Sequence, residues 1–327
     1  MTATKPETGK SKRLRDEMRD VLAMKRYKVS TINQYIGWCY QFAKFHQRDP
    51  RELREPEIRT WLTHLAVTEN VAWSTQHQAM CAVVCLYREV LKIELGDFGQ
   101  FSLAAKPKRL PIVISQPRTF ELIAAVTDWT NRLVCRMLYG CGLRINEGLG
   151  LRIQDVDFER STVLVRAPKQ DHDRQVMLPE SIRTDLQTQI AQMKLLWQQD
   201  GGACVHLPDA VGRKYPSSER AFEWQYIFGA RSLAVDPADG RLKRWHIHEN
   251  TIQKAVAAAR PSIGLTQRFT PHCFRHCFGT HLYESGVDIY RIKDLLGHKQ
   301  IETTLIYVHL ARKPAECIKS PLDQVKA

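Results

Sequence analysis

The segment between residues 268 and 309 carries side chains that are suited to chemistry on a phosphodiester. It contains a His-x-x-Arg pair, a Leu-Gly-His triplet and a tyrosine, which supply His272, Arg275, His298 and Tyr307. Because His272 and Arg275 are three residues apart, they share one face of a helix. Arginine guanidiniums can bind the non-bridging oxygens of a phosphate while a phenol attacks the phosphorus. The spacing therefore favours phosphoryl transfer with Tyr307 as the nucleophile.

Two helices must position these side chains. Phe274, Phe278 and Leu282 recur at helical spacing and predict a buried face on the helix of His272. Gly286 is typical of a helix end, and residues 288–296 predict a second, short helix that ends at Gly297.

The same residues allow simpler interpretations. A single His-x-x-Arg pair also occurs on solvent-exposed helix faces, and a tyrosine is often a core aromatic whose hydroxyl is hydrogen-bonded. The set His272, Cys273, His276 and Cys277 suggests a metal site, but its spacing does not match the paired ligands of zinc sites. The catalytic interpretation depends on whether further cationic residues that could bind a phosphate occur earlier in the chain.

Composition indicates a polyanionic partner. The 327 residues have a formal net charge of +13, which favours nucleic acid over a membrane surface. No apolar run is long enough for a transmembrane helix, and the first residues lack the apolar region of a signal peptide. Nine scattered cysteines are typical of a reducing compartment. We expect a cytoplasmic, nucleoid-associated protein with no membrane partner.

The first third of the chain predicts a small helical domain. Residues 1–12 are polar and predict a disordered tail, and residues 13–98 predict four helices. Ser30-Thr31 and Ser74-Thr75 are plausible N-caps for the second and fourth of them. Residues 99–117 predict an extended, basic linker. Three of its cations are candidate contacts to a DNA backbone: Lys106, Lys108 and Arg109.

Residues 118–327 predict a second domain with two further cations. Arg144 follows a glycine-rich turn and has apolar neighbours, so it needs an anionic partner, and Glu147 can supply one. That pair is compatible with a structural role, a functional role, or both. Two short strands, 162–165 and 174–178, predict a hairpin with Lys169 near its tip. This lysine is either exposed to solvent or able to reach a scissile phosphate.

An unusual segment at about 205–250 interleaves aromatic and basic residues. Such a pattern can stack nucleobases and bind phosphates, as in proteins that bind single strands. The alternative is an additional core layer, which accounts for some of the aromatics Phe222, Tyr226 and Phe228. The basic end of the segment, Arg244-Trp245-His246, is harder to place in a core.

Taken together, these motifs resemble the tyrosine recombinase (phage integrase) family over nearly the whole chain. The resemblance implies a fold that is mainly α with a small β-sheet. It comprises an N-terminal helical, SAM-like core-binding domain and an α+β catalytic domain. Within the family, the insertion at about 205–250 resembles that of integron integrases, which hold bases flipped out of folded single-stranded cassette sites. By position, the DNA-binding residues would be Trp224, Pro237, Arg244, Trp245 and His246.

The resemblance implies a mechanism. Tyr307 attacks a DNA phosphodiester, expels a 5′-hydroxyl and forms a 3′-phosphotyrosyl bond. Arg144 and Arg275 stabilise the charge on the phosphate. Lys169 protonates the leaving oxygen.

Two histidines complete the implied site. His272 is the candidate general base, and His298 donates a hydrogen bond to the phosphate. The covalent bond conserves energy for rejoining, so no metal or nucleotide cofactor is expected. The expected assembly is a homotetramer on DNA, formed from a free monomer, which integrates and excises gene cassettes.

The chain departs from the family pattern at two positions. The hairpin reads Pro168-Lys169-Gln170, where the family usually has Gly-Lys-Gly, and Trp245 replaces the first histidine of an Arg-His-His motif. Three alternatives are a Xer-like or phage-type recombinase on duplex sites, a DNA-binding protein without catalysis, and a relaxing topoisomerase.

Overall fold

The computed structural model describes residues 14–96, 110–166, 173–237 and 239–311. These residues form two compact units that divide between Arg109 and Leu110. The predicted tail, Lys169 and the three linker cations Lys106, Lys108 and Arg109 lie outside the described residues. No described helix is long and apolar enough to span a membrane.

The first unit is helical, as predicted. Its helices are α1 (Leu14–Met24), α2 (Val29–His46), α3 (Glu55–Val67) and α4 (Trp73–Cys85), and α4 continues as a π-helical turn (Leu86–Leu91). Phe42, Trp61 and Tyr87 pack at the centre of its core, each at most 2% exposed. The Tyr87 hydroxyl donates to the carbonyls of Pro50 and Leu53, at 2.7 and 3.1 Å, so this buried hydroxyl is satisfied.

The second unit is mainly α with small sheets, which confirms the predicted fold class. Its helices are α5 (Gln116–Ala124), α6 (Trp129–Gly140), α7 (Ile145–Leu149), α8 (Arg183–Gln199), α9 (Asp209–Lys214), α10 (Glu249–Ala259), α11 (Pro271–Glu284), α12 (Ile289–Leu296) and α13 (Glu302–Leu310). Its strands are β1 (Val156–Asp157), β2 (Thr162–Val165), β3 (Arg174–Met177), β4 (Ala234–Val235) and β5 (Leu242–Lys243).

Strands β1, β2 and β3 form an antiparallel sheet in that order. Val163 pairs with Val176, and Val165 pairs with Arg174. Val163, Val165 and Val176 are all buried, because alternate residues of a strand face the same side. The sheet thus fixes Arg174 at the first position of β3, directly after the segment 166–173.

The aromatic-basic insertion is joined to the same core. Tyr226 and Phe228 are 5% and 0% exposed, so the core interpretation is correct for these two residues. Single β-bridges connect Arg152 with Tyr226 and Gly229 with His246. Strands β4 and β5 pair at the outer edge of the insertion.

The end of the predicted linker belongs to the second unit. Ile114 is 6% exposed, and its carbonyl accepts a hydrogen bond from His281 Nε2 at 3.0 Å. Helix α5 begins at Gln116. The packed structure therefore starts several residues before the predicted boundary at 118, since Ile114 fills an apolar position next to α11.

Candidate active site

Three arginines converge on the carboxylate of Glu147. Arg144 Nη1 donates to Glu147 Oε1 at 2.7 Å, as the i, i+3 spacing predicts. Arg174 binds the same carboxylate with two parallel bonds, Nη1 to Oε1 at 3.1 Å and Nη2 to Oε2 at 2.7 Å. Arg275 Nη1 lies 3.7 Å from Oε2. Glu147 and Arg174 are nearly buried, with side chains 9% and 11% exposed, so water screens these charges little.

The guanidinium of Arg275 is fixed by two backbone carbonyls. Nη1 donates to the carbonyl of Gly142 at 2.7 Å, and Nη2 donates to that of Leu296. Gly142 has φ +64°, and a Cβ there would overlap the ring of Phe278, so only glycine fits this turn. Gly142, in the glycine-rich turn that leads into Arg144, therefore brings its carbonyl to Arg275.

The site carries a surplus of positive charge. Burial acts to raise the pKa of Glu147, but the hydrogen bonds and charges of Arg174 and Arg144 lower it to about 2. The carboxylate is therefore ionised at neutral pH and offsets one of the three guanidinium charges. Burial and the neighbouring Arg144 lower the pKa of Arg275 to about 10, which still leaves it charged. The remaining charge can attract a phosphodiester.

Tyr307 lies on α13 next to this cluster and is 1% exposed. Its ring is nearly parallel to that of His298, with centroids 6.2 Å apart and an angle of 13°. The ring centroid of His276 is 5.9 Å away. Burial raises the pKa of Tyr307, while the charges of Arg275 and Arg144 act to lower it. The phenol is thus protonated at neutral pH, and attack requires a proton acceptor.

The histidines of the site favour their neutral forms. Burial, with Arg275 and Arg144, lowers the pKa of His272, and burial and these charges lower that of His298 to about 4. His298 Nδ1 is 2.9 Å from Thr304 Oγ1. A neutral imidazole can accept a proton or donate a hydrogen bond. The His272 side chain is only partly desolvated by its neighbours and keeps an exposed surface, so it is accessible to a substrate.

A cleft of about 590 Å³ opens beside His272. Its lining includes the polar and cationic side chains of Asn250, Gln253, Lys254, Arg260 and Arg268. This cleft extends the positive surface from the arginine cluster along α10, as a polyanion requires.

The structure brings together five of the six predicted catalytic residues: Arg144, His272, Arg275, His298 and Tyr307. The sixth, Lys169, lies outside the described residues. The sequence pattern predicts Arg174 only as a strand residue. Its sole local signal is its place after the hairpin loop, because its partner Glu147 lies 27 residues away in the chain.

The insertion places two of the predicted base-contacting aromatics near its surface. Trp245 is partly exposed and stacks on His206, with centroids 5.3 Å apart and an angle of 17°. The ring of Trp224 has the guanidinium of Arg166 5.4 Å from its centroid. His246 meets the ring of Tyr226 edge-on, and Pro237 is exposed in the segment that leads from β4 to β5.

Arg244 requires a correction. It was expected among the DNA-binding residues, but it is only 1% exposed. Its guanidinium forms an ion pair with Asp200 and donates to the carbonyls of Ala230 and Arg231. Both Nη atoms of Arg244 are engaged inside the protein, while its buried Nε has no hydrogen-bond partner among the described residues. In this conformation the guanidinium links the insertion to Asp200 and is not exposed for DNA contact.

Comparison with known proteins identifies the family. Residues 117–313 match the phage integrase family, and residues 14–97 match the phage integrase N-terminal SAM-like domain. An integrase/recombinase from Escherichia coli is 35% identical, with 98% of this chain and 97% of that protein covered. The chain belongs to the phage integrase family, that is, the tyrosine site-specific recombinases.

Two solved structures have the same fold. The XerH site-specific recombinase bound to a palindromic difH substrate matches with a TM-score of 0.64 and 17% identity, covering 91% of this chain and 82% of that one. A lambda integrase dimer bound to a core site matches with a TM-score of 0.63 and 15% identity, covering 94% and 97%. At this identity, the likeness concerns the fold alone.

Proposed function

We propose that this protein cuts and rejoins DNA through a 3′-phosphotyrosyl intermediate. The observation that carries the proposal is the arrangement of Arg144 and Arg275 on one carboxylate, Glu147, next to the buried phenol of Tyr307. Two guanidiniums held on one carboxylate beside a phenol form an anion site with a tyrosine as the adjacent nucleophile. Preorganised donors of this kind stabilise charge that develops in a transition state.

In the proposed step, Tyr307 Oη bonds to the phosphorus as the bond from phosphorus to the 5′-oxygen breaks. His272 accepts the phenol proton, and Lys169 donates a proton to the leaving 5′-oxygen. Arg144 and Arg275 bind the non-bridging oxygens, and His298 donates a hydrogen bond to one of them. The products are a 3′-phosphotyrosyl bond and a free 5′-hydroxyl.

Rejoining is the reverse reaction. A 5′-hydroxyl from the same or another strand attacks the phosphotyrosine and releases the phenol. Because the number of phosphoester bonds is unchanged, this chemistry needs neither a metal nor a nucleotide. Family membership supports both halves of the reaction.

We further propose that the substrates are folded single-stranded cassette sites together with duplex integration sites, so that the protein integrates and excises gene cassettes. The stacked pair of Trp245 and His206 supports this assignment, since such a platform can hold an unpaired base. Trp224, Pro237 and His246 complete the proposed base-binding set. Lys106, Lys108 and Arg109 are proposed contacts to the DNA backbone, and the active assembly is a homotetramer.

The second candidate is a recombinase that acts on duplex sites only. The structural likeness to XerH and lambda integrase, both bound to DNA in their solved structures, favours it. The two candidates share the chemistry of Tyr307 and differ in whether the insertion binds extrahelical bases.

A covalent trapping assay tests both proposals. The protein and a Tyr307→Phe variant are incubated with a folded cassette-site hairpin or the corresponding duplex, and denaturing gels report protein–DNA adducts. We expect an adduct on the hairpin that the variant does not form. An adduct on the duplex alone would retain the chemistry and exclude the cassette assignment. Binding without an adduct on either substrate would indicate a DNA-binding protein without catalysis. Relaxation of supercoiled DNA without strand exchange would indicate a topoisomerase.

A further inference from the structure

Arg174 connects three parts of the candidate site that are distant in the sequence. It begins β3, its Nη atoms bind Glu147 in α7, and its Nε donates to the carbonyl of Leu295 in α12 at 2.9 Å. The carbonyl of the next residue, Leu296, accepts from Arg275. Two arginines therefore satisfy the last carbonyls of the helix that leads into His298.

The packing leaves little freedom around Arg174. At Gly297, which ends α12 with φ +63°, a Cβ would lie 3.0 Å from Arg174 Cδ and 3.2 Å from its Nη1. The absence of a side chain at Gly297 allows the guanidinium to lie flat against the turn. Because His298 follows this turn directly, a change at Arg174 alters the support of His298.

Charge gives Arg174 a second role. Without it, the counterions left to Glu147 among the described residues would be Arg144 and the more distant Arg275. Its carboxylate would then attract both guanidiniums more strongly and reduce their effect on a phosphate. The bidentate bonds of Arg174 offset the Glu147 charge from the side of β3.

We propose that Arg174 is a positioning residue. It holds Glu147 and the C-terminus of α12 so that Arg144, Arg275 and His298 remain aligned on the scissile phosphate. Arg174 itself does not touch the substrate. This inference rests on the proposed cleavage reaction of Tyr307.

The first test separates binding from chemistry. Arg174→Met and Arg174→Lys are compared with the wild type for DNA affinity and for the single-turnover rate of adduct formation. Misplacement of about 1 Å can reduce a rate about 100-fold, so we expect a loss of about that size for Arg174→Met, with affinity changed less than about threefold. Arg174→Lys keeps the charge without the bidentate geometry and should recover part of the rate.

A matched control variant is Arg183→Met. Arg183 also lies in the second unit and donates to Ser161 Oγ and the carbonyl of Phe158, but it has no described contact with Glu147 or α12. It should form the adduct at the wild-type rate. Thermal unfolding of all variants shows whether each is folded at the assay temperature.

A substrate with a methylphosphonate at the scissile position supplies a readout that a purely structural role would not change. Methyl replaces one non-bridging oxygen and removes the negative charge, so arginine alignment matters less. We expect the difference between wild type and Arg174→Met to shrink from about 100-fold to less than about 10-fold. An equal loss on both substrates would overturn the positioning role, as would a wild-type rate for Arg174→Met. If the wild type forms no adduct on any phosphodiester, the proposed function itself fails.

Discussion

Gly279 lies directly against the ring of Tyr307. A Cβ at position 279 would come within 2.8 Å of Tyr307 Cζ and within 2.9 and 3.0 Å of two ring carbons. Helix α11, which presents His272 and Arg275, thus also forms the wall against which the nucleophile packs. The position of the Tyr307 phenol therefore depends on the absence of a side chain at Gly279.

Gly279→Ala should therefore slow adduct formation. The new methyl group overlaps the ring, so Tyr307 must move, and we expect a loss of about 100-fold in the single-turnover rate. Gly37→Ala in α2 is the control, because nothing lies within 4 Å of its Cβ position. Alanine is a better helix former than glycine, so that variant should be stabilised by about 0.5–1 kcal/mol. A wild-type rate for Gly279→Ala would show that the ring does not rest against α11 during cleavage.

Trp245→Ala should selectively weaken binding to folded single strands. Stacking of a base on an aromatic side chain contributes about 1–3 kcal/mol, which corresponds to a roughly 5- to 150-fold loss of affinity for the hairpin. Affinity for the duplex should change less than about twofold. Fluorescence anisotropy with both substrates measures the difference. Tyr290→Ala, which removes another exposed aromatic of the same unit, is the control. An equal loss on both substrates would contradict the base-stacking role.

Arg244→Met should destabilise the protein. Removing one partner of a buried ion pair costs about 3–5 kcal/mol, and Asp200 would lose its buried counterion. Arg241→Met is the matched control. Arg241 pairs with Glu219 and Asp239 but is 52% exposed, so solvent screens the pairs and their loss should change stability far less. Denaturant unfolding measures the change in the free energy of unfolding for both variants. A stable Arg244→Met variant with weakened DNA binding would restore the original DNA-binding assignment.

Acid should destabilise the candidate site through two of its partly buried histidines, His276 and His298. Burial, with His272 and Arg275, lowers the pKa of His276 to about 4, and that of His298 is also about 4. In the unfolded chain these groups have a pKa of about 6.5 and bind protons that the folded protein excludes. Their contribution to stability is therefore present above pH 6.5 and is lost as the pH falls toward 4.

Unfolding curves between pH 7.5 and 4 test this dependence. His276→Gln removes one of the two groups and should flatten the decline of stability over that range. Comparing the slopes of stability against pH separates the effect of histidine titration from a loss of stability that is the same at every pH. If the slope of stability against pH is unchanged, His276 binds its proton in the folded protein without destabilising it.

The sequence predicts those parts of the site that depend on local spacing. His272 and Arg275 lie on α11 as the i, i+3 pattern requires, and Glu147 binds Arg144 because the two are three residues apart. Helix boundaries are less accurate. Helices α2 and α4 begin at Val29 and Trp73 rather than after Ser30-Thr31 and Ser74-Thr75, since Lys28 and Ala72 start them without a side-chain cap.

Contacts between distant residues determine the rest. Arg174 resembles any strand residue until Glu147 is placed beside it, and Arg244 resembles a surface cation until Asp200, 44 residues earlier, is brought to it. Aromatic neighbours do not reveal whether an arginine faces solvent. Only the tertiary fold distinguishes an arginine that can bind a phosphate from one that binds a carboxylate or carbonyl of the protein itself.

The attachment of Ile114 to α11 determines where the two units can be separated. His281 donates from Nε2 to the Ile114 carbonyl and, with its other nitrogen, accepts from the Tyr139 hydroxyl at 2.8 Å. A recombinant fragment that began at residue 118 would leave this imidazole donor without its acceptor and expose the apolar surface that Ile114 covers. A fragment that begins at or before Leu110 keeps both, so the natural point of division for expressing the catalytic half lies upstream of the first turn of α5.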